Sequence, residues 1–516
     1  MRFSTPRRWT RPSKAVLAAA LCLGGGLSAA TTLPDPGDPH LTVIPRTAEE
    51  AARIAAVLAP VRDFSAPEPF EARPAGAATV RARRDAEAFS QPSANLEAGR
   101  AADFTLGRGL FRKLWVSSPS STLASDGLGP LYNARACRSC HVKDGRGHAP
   151  DGPGDSAVSM VLRVSVPSDE VPTDIPDWIA TAPDPVYGAQ LQDFATPGHA
   201  AEFRLGVRYE EIAVALSGGE TASLRKPSYD VESPGYGPLA PGAMLSPRVA
   251  PQMIGLGLLE AIPAADILAH EDPEDADGDG ISGRAAIVRS VAFDRPVLGR
   301  FGWKAGVPTV SEQTAFAFAG DMGISSPLHP AIWGDCTANQ MACRGAPGGA
   351  GDARGFEVDR PALDVVTFYS RNLAVPARRG EGEPEVLHGK RVFHETGCAA
   401  CHVPKFVTAR LADRPEQSFQ LIWPYSDLLL HDMGDGLADN RPEGRATGRE
   451  WRTAPLWGIG LTERVSGNGS YLHDGRARSI LEAILWHGGE AAAPRDRVIS
   501  MPPPDRAALI RFLESL

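Results

Sequence analysis

At 516 residues the chain exceeds one small domain, which needs on the order of 100 residues, and calls for two or three. An apolar fraction of 43% suits a soluble protein with a real core, and no run beyond the first thirty residues is apolar enough to span a membrane. The formal net charge of −9 argues against nucleic acid as a partner.

Residues 1–30 read as a signal peptide. Arg2, Arg7, Arg8, Arg11 and Lys14 make a basic start, Ala15 to Gly26 is an apolar stretch too short for a bilayer, and Leu27-Ser28-Ala29-Ala30 offers small residues for cleavage. This predicts a periplasmic protein with no transmembrane anchor after cleavage near Ala30. Cleavage removes five basic and no acidic residues, which leaves −14. That acidity suits docking of a basic small redox protein, and it suits solubility alone equally well. Residues 31–97 form a Pro/Ala-rich arm, in which Thr47-Ala48-Glu49-Glu50 has the capping-box pattern and starts a short helix ending at Leu58.

After Gly107-Arg108-Gly109-Leu110-Phe111 comes Cys137-Arg138-Ser139-Cys140-His141. Two cysteines two residues apart and followed at once by histidine are the attachment signature of c-type haem. The thiols add to the two vinyl groups, and the histidine reaches the iron. Between His141 and Pro361 lies a large insertion. The alternation Val158-Met160-Leu162-Val164-Val166 predicts a strand, with Ala286 to Phe293 as its expected partner. Asp275, Asp277 and Asp279 alternate with small residues before Gly280, the spacing of a calcium loop or of a plain acidic turn. Position twelve is Ala286 rather than Glu, so an EF-hand is excluded. Of seven cysteines, Cys336 and Cys343 belong to neither the leader nor a haem motif. In an exported chain they predict a disulfide closing a small loop, with two free thiols as the alternative.

The haem signature recurs at Cys398-Ala399-Ala400-Cys401-His402, after Gly389-Lys390-Arg391-Val392-Phe393. Each motif is also followed by a proline-started helix: Pro361 with Val366, Tyr369 and Leu373, and Pro504 with Leu509, Phe512 and Leu516. This is an internal duplication. It predicts a mainly α protein of two cytochrome c-like haem domains, 98–376 and 382–516, the first carrying a few short strands in its insertion. Two covalently bound haem c groups are the expected cofactors, with His141 and His402 as iron ligands. A strong sixth ligand makes an electron-transfer haem, and a vacancy makes a reactive one. His487 ends the apolar stretch Ile480 to Trp486 just before two glycines, where it can be aimed at a haem face or simply favoured by the helix dipole. For the first haem nothing better than His148 stands out as a sixth ligand.

Several separated stretches carry a resemblance. Gly127 to Asn133 with Cys137 to Gly147, Phe301-Gly302-Trp303-Lys304, Gly320 to Ile324, Asp427 to Gly434, Trp451-Arg452-Thr453 and His473-Asp474-Gly475-Arg476 through Glu490 resemble the bacterial di-haem oxidoreductase family. That family, sometimes called thiol oxidoreductase-like, is distantly similar to bacterial di-haem cytochrome c peroxidases. The resemblance covers about residues 98–516. It implies a peroxidase in which hydrogen peroxide reacts at the N-terminal haem. The C-terminal haem would then take electrons from a small c-type cytochrome or copper protein. It also implies a sixth ligand fourteen residues after the histidine of a His-x-Gly turn, a methionine in the peroxidases and here, counted from His473, His487. Met433 is the second candidate. Gln313 and Asp321 stand where the peroxidases carry a glutamine and a distal glutamate, at a shorter spacing and with Asp for Glu. A di-haem electron carrier, or an enzyme that oxidises a partner protein or thiol, are the competing readings.

Overall fold

The computed structural model describes Met1 and residues 36–516, apart from 153, 156–158 and 350–354. The leader expected at residues 1–30 therefore lies outside the described residues, Met1 excepted, as does Val158 of the expected strand. Among the described residues no helix is long and apolar enough to cross a membrane.

Two helix pairs repeat. Ala101–Arg112 leads into the first Cys-x-x-Cys-His motif and packs on Arg360–Arg371. Pro384–Thr396 leads into the second and packs on Pro503–Ser515. In each pair a glycine sits at the crossing and lets the backbones touch. A Cβ on Gly107 would lie 2.4 Å from the carbonyl oxygen of Val365, and one on Gly389 would lie 1.9 Å from that of Ala508. One turn on, Phe111 meets Tyr369 at 5.3 Å and Phe393 meets Phe512 at 5.2 Å between ring centroids. The shared Gly-basic-x-aliphatic-Phe lead-ins thus mark one packing solution used twice. Asp359 caps Arg360–Arg371 through Ala362 N at 3.0 Å, and proline occupies the first turn of both closing helices.

The expectation of a mainly α protein built from cytochrome c-like domains is overturned. Helix accounts for 28% and strand for 18%, the strand is spread over many small sheets, and no cytochrome-like domains are visible among the described residues. Residues Pro36–Leu516 pack as one unit. The 53 glycines and 46 prolines cut the chain between the helices into short extended pieces, whose backbone groups pair mostly in two-stranded ladders.

Met160–Pro167 is a strand as expected, but its partner is not the segment Ala286 to Phe293. It pairs antiparallel with Met244–Val249, and also with Gln190–Leu191 and Thr181–Ala182. Ile287–Ser290 pairs instead with Arg295–Leu298, which follows it after four intervening residues. Alternation marks a strand without marking its neighbour, and the sheet forms where Leu162 and Val164 bury against Tyr187, Leu191 and Phe203. The insertion also sends out a hairpin, Arg204–Ala215 with Thr221–Glu232. Its tip places Leu216 and Leu224 in the apolar core of the C-terminal half, and Arg506 donates to Ser217 O at 3.0 Å.

The N-terminal arm lies along both halves. Its helix Ala48–Leu58 has the expected capping box. Glu71 receives Lys390 at 2.7 Å and also pairs with Arg378, while Glu68 receives Lys390 and Lys405 at 2.9 and 2.6 Å. Cys336 and Cys343 are disulfide-bonded, as expected.

Candidate functional site

The two haem motifs open into one cavity of about 440 Å³. Cys137–Cys140 is a single helical turn, and Cys398–Ala400 a single 3₁₀ turn. Both histidines are held alike. His141 Nδ1 bonds the carbonyl of Pro251 at 2.7 Å and His402 Nδ1 that of Tyr425 at 2.8 Å, which leaves each Nε2 free for the cavity. Burial lowers both to about 4, so both rings are neutral, the form that binds metal. The first cysteine of each pair, Cys137 and Cys398, is pushed up by burial to about 12.

The cavity is walled mainly by apolar side chains, among them Phe111, Met253, Trp303, Phe393, Trp457 and Ile484. Six arginines line it: Arg248, Arg300 and Arg495 are paired with carboxylates, whereas Arg146, Arg163 and Arg452 form no ion pair among the described residues. Burial lowers each of the latter three to about 10. Nε of both Arg146 and Arg163 lacks a partner. Cations buried without a carboxylate are costly, and an anionic group in the cavity would offset that cost. Two anchored imidazoles, paired cysteines, apolar walls and unmatched guanidinium groups fit two haems with their propionates.

The expected residues meet here in part. Gln313 and Asp321 project from one helix, Val310–Met322, which Thr309 caps through Glu312 N at 3.1 Å. Asp321 lies near enough to the first motif to bear on Cys137 and Cys140. Burial raises its carboxyl, while hydrogen bonding from Gln190 and the charge of Arg163 oppose this. His487 follows the short helix Ile480–Leu485 and faces the same cavity; its Nδ1 bonds Ala483 O at 2.7 Å. It is close enough to His402 to bear on that ring. Met433 lines the cavity too. His148 does not; its Nδ1 turns to Ala149 O at 3.0 Å. Asp275 and Asp277 converge with Asp272, whereas Asp279 stands outside that group and accepts from Ile281 N at 2.9 Å.

Other residues stand in the site without a sequence-level role. His431 is buried between Asp427, 2.9 Å from Nε2, and Glu490, 2.7 Å from Nδ1, with Cys401 Sγ 3.6 Å away. Burial alone would lower His431, but these neighbours outweigh it and hold the ring well above its ordinary range. His473 stacks on Trp451 at 3.7 Å, and the Lys304 ammonium lies 4.5 Å from the Trp451 ring. The stretches containing His431, His473 and Trp451 were visible as motifs, yet only the fold brings them together. Gln190, from the insertion, had no signal at all.

The profile of the family described as "Di-haem oxidoreductase, putative peroxidase" matches residues 71–516. No curated protein matches the chain. Among solved structures, a chain of Kuenenia stuttgartiensis hydrazine synthase, pressurized with xenon, is similar at 17% identity and a TM-score of 0.22. The match covers 37% of this chain and 65% of that one, so it spans less than two thirds of the hydrazine synthase chain. The family match takes in both haem motifs, the helix bearing Asp321 and the stretch from His473 to His487, and with it this chain belongs to the di-haem oxidoreductase family.

Proposed function

We propose that this protein is an exported, periplasmic peroxidase. It reduces hydrogen peroxide to two waters with two protons and two electrons. Each electron comes from a reduced small redox protein, a c-type cytochrome or a copper protein, and a haem held by Cys398, Cys401 and His402 would receive it. The observation that carries this reading is the unequal surroundings of two matched histidines. His402 shares its part of the cavity with a second anchored imidazole, His487, while Asp321 and its helix stand by the His141 motif.

When bound, the haems would supply the redox chemistry. Cys137, Cys140, Cys398 and Cys401 would hold them by thioether bonds, and His141 and His402 would ligate the irons. His487 is the better sixth ligand for the second haem because its ring is anchored through Nδ1, as those of His141 and His402 are. Arg146, Arg163 and Arg452 would receive propionates. Asp321, a carboxyl raised by burial and standing by the first motif, would take a proton from the near oxygen of the peroxide and return it to the leaving one.

Redox titration followed by electron paramagnetic resonance tests the layout. The expected result is one low-spin haem in all states and one haem whose spectrum changes with peroxide. Two low-spin haems in every oxidation state, with spectra indifferent to peroxide, would refute the peroxidase reading.

A further inference from the structure

The insertion between the first haem motif and its closing helix does more than fill space. Its strand Gln190–Leu191 carries a buried amide to the helix that bears Asp321. Gln190 Nε2 donates to Asp321 Oδ1 at 2.8 Å and to Asn133 Oδ1 at 2.7 Å, with a longer approach of 3.3 Å to Gly320 O. The amide is oriented from behind: Arg163 Nη1 donates to Gln190 Oε1 at 3.4 Å. Asn133 is oriented in turn, its Nδ2 donating to Leu191 O at 2.8 Å and to Asp193 Oδ1 at 3.0 Å. The Gln190 backbone is held by Asp335, whose Oδ2 accepts from Ala189 N at 2.7 Å and Gln190 N at 2.9 Å. The Asp321 peptide is tied to the chain entering the first haem motif, since Asp321 O accepts from Asn133 N at 2.8 Å and from Ala134 N at 3.1 Å. The carboxyl is therefore registered by the Gln190 amide of the insertion, and its peptide by the backbone N–H groups of Asn133 and Ala134 just before the first haem motif.

We propose that Gln190 is a positioning residue for the peroxidase reaction: it pins Asp321 Oδ1 and leaves Oδ2 as the oxygen that exchanges protons in the cavity. A carboxyl must lie within hydrogen-bond reach of the proton it moves, and one pinned oxygen removes the rotational freedom that would take the other out of reach. The charged groups around this amide are Arg163, Asp335 and Asp321, with Asp193 beyond Asn133. The inference rests on Asp321 being the proton-handling group.

The test uses the haem-loaded protein and two readouts. One is the rate of reaction with peroxide, and the other is the C–O stretching frequency of carbon monoxide bound to the reduced first haem. Gln190→Met keeps the size and removes the donor. It is expected to slow the peroxide reaction about 10- to 100-fold and to shift the C–O stretch, with Gln190→Met/Asp321→Asn no slower than Asp321→Asn alone. Wild-type rate and stretch in Gln190→Met at full haem content overturn the proposal, while a slowed Asp321→Asn leaves the reading of Asp321 standing. An Asp321→Asn variant with wild-type rate and stretch instead overturns that reading. Should Gln190→Met fail to hold haem, Gln190→Glu serves. Its carboxyl donates to Asp321 only when protonated, so its peroxide rate should fall with rising pH more steeply than wild type, and an unchanged pH profile overturns the proposal.

Discussion

At the scale of single residues, the histidines divide by what holds Nδ1. His141, His402 and His487 each give Nδ1 to a backbone carbonyl and so present Nε2 to the cavity. His431 has carboxylates on both nitrogens and cannot act as a ligand without giving one up. This makes His487 the residue whose loss should change coordination. His487→Ala is expected to convert the second haem from low-spin to high-spin while leaving covalent haem content unchanged, as read by electron paramagnetic resonance and by pyridine haemochrome assay. His487→Met should keep the low-spin state and raise that haem's potential, because a thioether opposite histidine favours the reduced iron. A low-spin second haem in His487→Ala would pass the role to Met433.

At the scale of elements, the glycines at the two helix crossings carry a sharp expectation. Gly389 lets Pro384–Thr396 approach Pro503–Ser515 so closely that a methyl group would overlap the Ala508 carbonyl. Gly389→Ala should cost about 1–3 kcal/mol by overpacking, although alanine is the better helix former. A lowered midpoint of thermal unfolding checks it, and an unchanged or raised midpoint contradicts the crossing. The lead-in patterns were legible because a glycine and a phenylalanine one turn apart recur before each motif. The strand Met160–Pro167 was legible from its alternation, yet its true partner Met244–Val249 was not, because pairing is settled by which surfaces bury together.

At the scale of the whole molecule, one buried carboxylate ties distant parts. Glu260 accepts from Arg371 Nε at 2.6 Å, Arg414 Nη1 at 2.7 Å and Val310 N at 2.8 Å. It thus joins the end of the first closing helix, the C-terminal half and the start of the helix bearing Asp321. Burial alone would raise Glu260, but Arg371 and Arg414 outweigh it and lower the carboxyl from 4.5 to about 2. A lowered folded value means that the stability Glu260 contributes is complete above pH 4.5 and is lost as pH falls toward 2. Glu260→Gln should destabilise the protein by about 1.5–3 kcal/mol at neutral pH, since it removes the charge that two half-buried arginines pair with. It should also flatten the acid limb of a stability-against-pH curve measured by thermal unfolding. A variant whose acid limb matches wild type would show that Glu260 does not couple these parts.

The sequence by itself marked the two Cys-x-x-Cys-His motifs and the local punctuation. Cys-x-x-Cys-His occurs twice at a fixed spacing, and the helix caps and the disulfide between Cys336 and Cys343 follow from neighbours in the chain. The tertiary structure decided everything that depends on residues far apart: the single unit with its small sheets in place of a mainly α pair, and the unmatched cations Arg146, Arg163 and Arg452 around one cavity. It also decided the meeting of Gln190 with Asp321 across 131 positions of chain. The physical reason is that a local signal records backbone geometry and spacing. Burial, ion pairing and hydrogen-bond partners are settled only when the whole chain chooses which surfaces to hide from water.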